Sequence, residues 1–80
     1  MKDNIQIAEI IFRKHLNLKK NYKIQKLKYG QQQWDSIIHM AIIAELEKKM
    51  KTTFDIDDVI SMNSFEKVIK ILKKYNKKNA

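Results

Sequence analysis

Eighty residues make one small domain spanning 1–80, with little room for an enzyme that builds its own deep cleft. No cysteine is present, so disulfides and thiolate metal sites are excluded and nothing demands an oxidising compartment. The net charge of +8 invites a nucleic-acid partner, but it is unevenly spread: residues 1–34 carry a net +6, residues 35–66 a net −4 and residues 67–80 a net +6.

With no proline and a single glycine, the chain favours helices over a turn-rich sheet fold. The first helix is predicted to start at Asp3 or Asn4, either of which can cap it, with Ile5, Ala8, Phe12 and Leu16 on one face. Residues 17–34 read as a long connection that carries five lysines and is anchored by Ile24, Leu27 and Tyr29. Gly30 alone in this chain can take positive φ without steric cost, so a turn is expected there. The second helix is predicted from Asp35 or Ser36 to about Met50. Ile37, Met40, Ala41, Ile43 and Ala44 can face inward, yet Ile38, Ile42 and Leu46 lie on other sides, which makes the helix apolar nearly all round. Residues 57–60 add one or two turns, with aspartates favourable at their start. The last helix is predicted to begin at Asn63 or Ser64, where Asn63 and Glu66 have capping-box spacing. Phe65, Val68, Ile69, Leu72 and Tyr75 give it a clean apolar stripe, and the lysine-rich tail from about residue 74 is expected to fray. Together these elements predict an all-α fold: a small four-helix bundle of three longer helices plus a short third helix, with a long first loop.

The stretch from Gly30 through Trp34, Asp35 and Ser36 closes the loop and opens the apolar run of the second helix. That places Ser36 at a helix start with its hydroxyl outside the core. A helix start offers unpaired N–H groups and the positive end of the dipole, which favour an attached phosphate. Asp35 suits the N-cap, worth about 1 kcal/mol. Trp34 is expected in the core, as large aromatic side chains mostly are. Neither His15 nor His39 is placed to serve Ser36 as a general base, and His39 is expected on the surface as a partner contact. No catalytic residue and no metal-ligand set is assigned.

This arrangement resembles the acyl or peptidyl carrier protein family. The resemblance rests on Leu27 and Gly30 in the loop, Asp35-Ser36-Ile37 at the site, Leu46-Glu47 late in the second helix, residues 56–60, and Met62-Asn63-Ser64-Phe65 leading into Val68, Ile69 and Leu72. An Asp-Ser pair alone is a weak motif; its place at a loop-to-helix junction and the downstream spacing make it specific. The resemblance implies a carrier with no catalysis of its own. A transferase would attach phosphopantetheine from coenzyme A to Ser36, and the arm's thiol would carry an acyl or aminoacyl group as a thioester between biosynthetic enzymes. Asp35 would then serve both as cap and as transferase contact, and Ile37, Ile38, His39, Ala41 and Glu47 are candidate partner contacts. Ile38 and Ala41 stand where fatty-acid carriers often have acids, and Lys48 and Lys49 follow Glu47 where further acids are common. Enzymes that dock through arginine and lysine should therefore bind this chain poorly. The Trp-Asp-Ser-Ile-x-His-Met form looks more like the stand-alone carriers of specialised pathways.

Two other roles compete. One is a small basic helical nucleic-acid-binding domain, drawn from the lysines of residues 19–28 and 67–78; the acidic middle segment and the single Arg13 argue against it. The abundance of Lys, Ile and Asn is also what an AT-rich genome produces without functional demand. The other is a structural or regulatory helical partner that uses the apolar second helix. Asp3 and Glu9 interrupt what would be the apolar stretch of a signal peptide, and no apolar run reaches membrane-spanning length. A cytoplasmic monomer without a membrane partner is the expectation.

Overall fold

The computed structural model describes residues 3–76 and contains four α-helices: α1 (Asn4–Leu16), α2 (Ser36–Met50), α3 (Ile56–Ser61) and α4 (Phe65–Asn76). A 3-10 turn over Ile24–Lys26 lies in the long first loop. No strand occurs among the described residues; one isolated antiparallel bridge joins Lys28 to Ser64. The all-α bundle, its short third helix and its long first loop are as the sequence predicts.

Local chemistry sets the helix ends. Asp3 caps α1 through a reciprocal box: its carboxylate accepts from the Gln6 N–H at 2.9 Å, and the Gln6 side chain accepts from the Asp3 N–H at 3.3 Å. α1 stops at Asn17 and α2 at Lys51, both left-handed (φ 52° and 53°). α4 is capped by Ser64, whose Oγ accepts from the Lys67 N–H at 3.1 Å. The expected Asn63–Glu66 box does not form, because with Ser64 as the cap Asn63 lies one residue before it, and the Asn63 N–H donates to the Ser61 carbonyl at 2.8 Å.

α1 packs on α2 and α4, and the 3-10 turn packs on α4. Phe12 stands at the centre, edge-to-face with Trp34 (4.9 Å between centroids) and with Phe65 (5.3 Å). Ile24 and Leu27 are fully buried anchors of the first loop, as expected. Tyr29 is not: its ring is half exposed and only leans on Trp34 and His39. Ile5 also departs from the expected α1 stripe. It is exposed, while Ala8, Ile11, Phe12 and Leu16 are buried and Ile7 packs on the core edge.

α2 turns a different face inward from the one predicted. Its buried residues are His39, Ile42, Ile43 and Leu46, whereas Ile37, Met40, Ala41 and Ala44 are exposed. An all-round apolar helix carries no internal signal for its rotation; the loop before it and the polar bonds of His39 decide it. The start of the tail is helical rather than frayed. α4 continues through residues 74–76, because Tyr75 is buried against Phe54 and hydrogen-bonded to Asp58, and Lys74 is ion-paired to Asp58. The remainder of the expected frayed tail, residues 77–80, lies outside the described residues.

Candidate functional site

The site is built by a tight turn that delivers Ser36. Within residues 28–34, the Gln31 N–H donates to the Lys28 carbonyl (3.0 Å) and the Trp34 N–H to the Gln31 carbonyl (2.9 Å). The Gly30 N–H closes back on the Trp34 carbonyl at 2.9 Å. Gly30 takes φ 94°, as the sequence predicts, but Gln32 and Gln33 also enter the left-handed region at 51° and 66°. For residues with a Cβ that conformation costs about 1–2 kcal/mol each, so the packing of Trp34 must hold the turn in place. Asp35 follows in extended backbone and caps α2: its Oδ1 accepts from the Ile38 N–H at 2.9 Å. Ser36 is the first residue of α2 and is exposed.

His39 is not the surface residue expected. It is only 9% exposed and acts as a strut. Its Nδ1 accepts from the Trp34 Nε1–H at 3.0 Å, and its Nε2–H donates to the Val59 carbonyl of α3 at 2.9 Å. This pairing fixes the tautomer, because Trp offers only a donor and a carbonyl only an acceptor. Both ring nitrogens are committed, so His39 has none left to take a proton from Ser36. The imidazole ties the loop residue Trp34, helix α2 and helix α3 into one unit behind the serine.

In front of the serine lies an apolar groove of about 300 Å³ between α2 and α3. Ser36, Tyr29, Met40, Ile56 and Ile60 line it, with His39 and Val59 behind. The surrounding aliphatic side chains are unusually open to solvent: Ile37 is 80% exposed, Met40 55%, Ile56 67% and Ile60 71%. Among the other contacts expected for a partner, Ala41 is exposed on the same stripe of α2 as Ile37. Ile38 is half-buried and packs on the core edge. Glu47 is engaged internally: its carboxylate accepts from the Phe54 N–H at 2.9 Å and holds the chain between α2 and α3.

Two ionic clusters brace the helices that flank the site. Asp58 on α3 accepts from Lys74 (2.7 Å) and from the Tyr75 hydroxyl, which in turn accepts from the Asp55 N–H at 2.8 Å. Hydrogen bonds from Lys74 and then Tyr75 hold the Asp58 carboxyl below the usual range; desolvation, then the bond to Asp58, pushes the Tyr75 phenol up. Glu45 on α2 meets Lys14 (2.6 Å) and His15 (2.8 Å) of α1, and these bonds, that of Lys14 first, lower its pKa. These partners lie 16 to 31 residues apart in sequence, where no local spacing rule pairs them. Their only sequence signal is a set of charged or phenolic groups beside apolar stripes.

Among the described residues no group of His, Asp and Glu could hold a metal ion, and no helix is long and apolar enough to cross a membrane. Comparison with protein-family models, with curated proteins and with solved structures gave no match.

Proposed function

We propose that this protein is a carrier whose Ser36 receives a phosphopantetheine arm and presents an acyl or aminoacyl thioester to successive enzymes. The observation that carries this reading is the exposed hydroxyl of Ser36 on the first turn of α2, fixed from behind by the Trp34–His39–Val59 strut and bordered by an apolar groove. A helix start suits a phosphodiester for the reason given by its dipole. The arm, when attached, would supply the thiol that the cysteine-free chain lacks.

In the attachment step the Ser36 oxygen bonds to phosphorus and displaces the nucleotide half of coenzyme A. The serine proton passes to a base on the transferase, since both His39 nitrogens are occupied. Asp35 keeps the serine in register by capping α2. The exposed Ile37, Met40, Ile56 and Ile60 give partner enzymes an apolar surface around the serine, where Ile38, Ala41, Lys48 and Lys49 replace acids common in fatty-acid carriers. The specialised-pathway subtype belongs to the same proposal.

The test is intact-mass analysis after incubation with coenzyme A and a broad-specificity phosphopantetheinyl transferase. One phosphopantetheinyl group is expected on the native chain and on Ser64→Ala, and none on Ser36→Ala. An unmodified native chain, beside a control carrier that the same transferase modifies, overturns the reading.

A further inference from the structure

A depression of about 760 Å³ lies away from Ser36, on the first loop. Lys19, Lys23 and Lys26 line it, and no carboxylate does. Asn17, Asn21, Tyr22, Gln31 and Gln32 complete the lining. Among the described residues none of these three lysines enters an ion pair, whereas Arg13, Lys14 and Lys74 all do.

Both walls of the depression are pinned. Arg13, itself balanced by Glu9, reaches under the first wall: its Nη1 donates to the Lys19 carbonyl at 2.9 Å and its Nη2 to the Tyr22 carbonyl at 3.0 Å. The Tyr22 N–H also closes on the Lys19 carbonyl at 3.0 Å, and the buried Ile24 anchors the 3-10 turn that carries Lys26. The opposite wall, with Gln31 and Gln32, belongs to the residue 28–34 turn closed by Trp34. Three like charges on a braced loop repel one another, and among the described residues no carboxylate lines the depression or pairs with them. A rigid concave surface of this kind binds an anion with little ordering cost.

We infer that this depression is a binding site for a small ligand bearing linked phosphates, with Lys19, Lys23 and Lys26 as its charge partners. Lysines suit the terminal and bridging oxygens of such a chain as point charges, while the amides and the phenol supply neutral donors. The linked phosphates could belong to an inorganic polyphosphate or to a nucleotide. The inference is independent of the role of Ser36.

The test is a titration of the full chain, at an ionic strength of about 0.15 M, with inorganic triphosphate, ADP and adenosine in separate arms, read by calorimetry and backbone amide shifts. Saturable shifts confined to residues 17–32 are expected with triphosphate and ADP and none with adenosine. Tighter binding of ADP than of triphosphate identifies the source as a nucleotide, and the reverse an inorganic chain. Lys19→Gln, Lys23→Gln and Lys26→Gln together should weaken binding at least ~10-fold, because three charge-assisted contacts are lost. All three are exposed, so the variant keeps the fold. Lys48→Gln, Lys49→Gln and Lys51→Gln together remove the same charge from the end of α2, at residues that do not line the depression. This control should change affinity less than ~2-fold, as screening predicts for distant charges. Absence of saturation, equal losses in the two triple variants, or duplex DNA displacing triphosphate while shifting lysine-bearing segments throughout the chain overturns the inference.

Discussion

Replacing His39 by phenylalanine keeps a ring of similar size and removes both nitrogens. Trp34 is 0% exposed, so its indole N–H has no water to turn to once the Nδ1 acceptor at 3.0 Å is gone. The Val59 carbonyl fares better, because it also accepts from the Met62 N–H at 3.4 Å. The cost is therefore dominated by one orphaned buried donor, about 1–3 kcal/mol, and about 2 kcal/mol is expected for His39→Phe. In a domain of this size that is a fall in Tm of roughly 8–16 °C. Urea unfolding followed by far-ultraviolet circular dichroism measures it and still works when the tryptophan is replaced. Trp34→Phe alone strands the Nδ1 lone pair and shrinks the core. The double variant, with neither partner present, should be less destabilised than the sum of the two singles by at least about 1 kcal/mol. A His39→Phe stability within about 0.5 kcal/mol of the native chain, or an additive cycle, refutes the strut.

Lys51→Gly should raise stability by about 0.5–1 kcal/mol, read as a higher urea midpoint, because Lys51 ends α2 at φ 53° and glycine removes the Cβ strain there. Ser36→Ala should leave the circular dichroism spectrum and the Tm within ~3 °C of the native chain, since the side chain is exposed and the cap belongs to Asp35. Phe65→Ala, by contrast, should cost roughly 3–5 kcal/mol, as Phe65 is buried against Phe12. Asp58 and Glu45 release their protons more readily in the folded chain than in the unfolded one. Their contribution is thus complete above the ordinary carboxylate value of about 4 and is lost as pH falls through and below it. Asp58→Asn combined with Glu45→Gln should flatten the acid limb of a plot of urea midpoint against pH.

Helix positions were legible because caps and stripes are local. Asp3 and Asp35 announce α1 and α2, and Phe65, Val68, Leu72 and Tyr75 mark one side of α4 without competition from the other. The rotation of α2 was not legible, because Ile37, Ile38, Ile42 and Ile43 satisfy several inward faces equally well. What settles it is a bond between an indole and an imidazole five residues apart across a loop-to-helix junction, and no apolar pattern encodes that. The exposed position of Ser36 at the start of α2 was legible because a serine after a loop glycine and a capping aspartate is a local feature. The support behind it was missed for the same reason that His39 looked like a surface residue: a buried histidine is recognised only by its partners. The persistence of α4 to residue 76 likewise depends on Asp58, 17 residues from Tyr75, and the lysine-rich composition there pointed the other way.

The cost of the exposed face bears on the proposed role of Ser36. Burying an aliphatic side chain of this size stabilises a fold by roughly 1.5–3 kcal/mol, and Ile37, Met40, Ile56 and Ile60 forgo most of that. A helix apolar on every side must leave some face uncovered, so exposure somewhere on α2 needs no function. Its placement is another matter. Ile37 and Met40 stand one and four residues from Ser36, and Ile56 and Ile60 come from a separate helix that His39 holds beside them. Met40 from α2 and Ile56 and Ile60 from α3 line one groove beside Ser36, and a mere surplus of apolar surface gives no reason for that convergence. A surface that enzymes must grip and release in turn gives one, since apolar contacts form with many shapes and need no matched set of charges. Replacing Met40 and Ile60 by glutamine should therefore leave folding and Ser36 solvent access unchanged while slowing the transferase. If modification proceeds at the native rate, the exposed face has no part in recognition at that step.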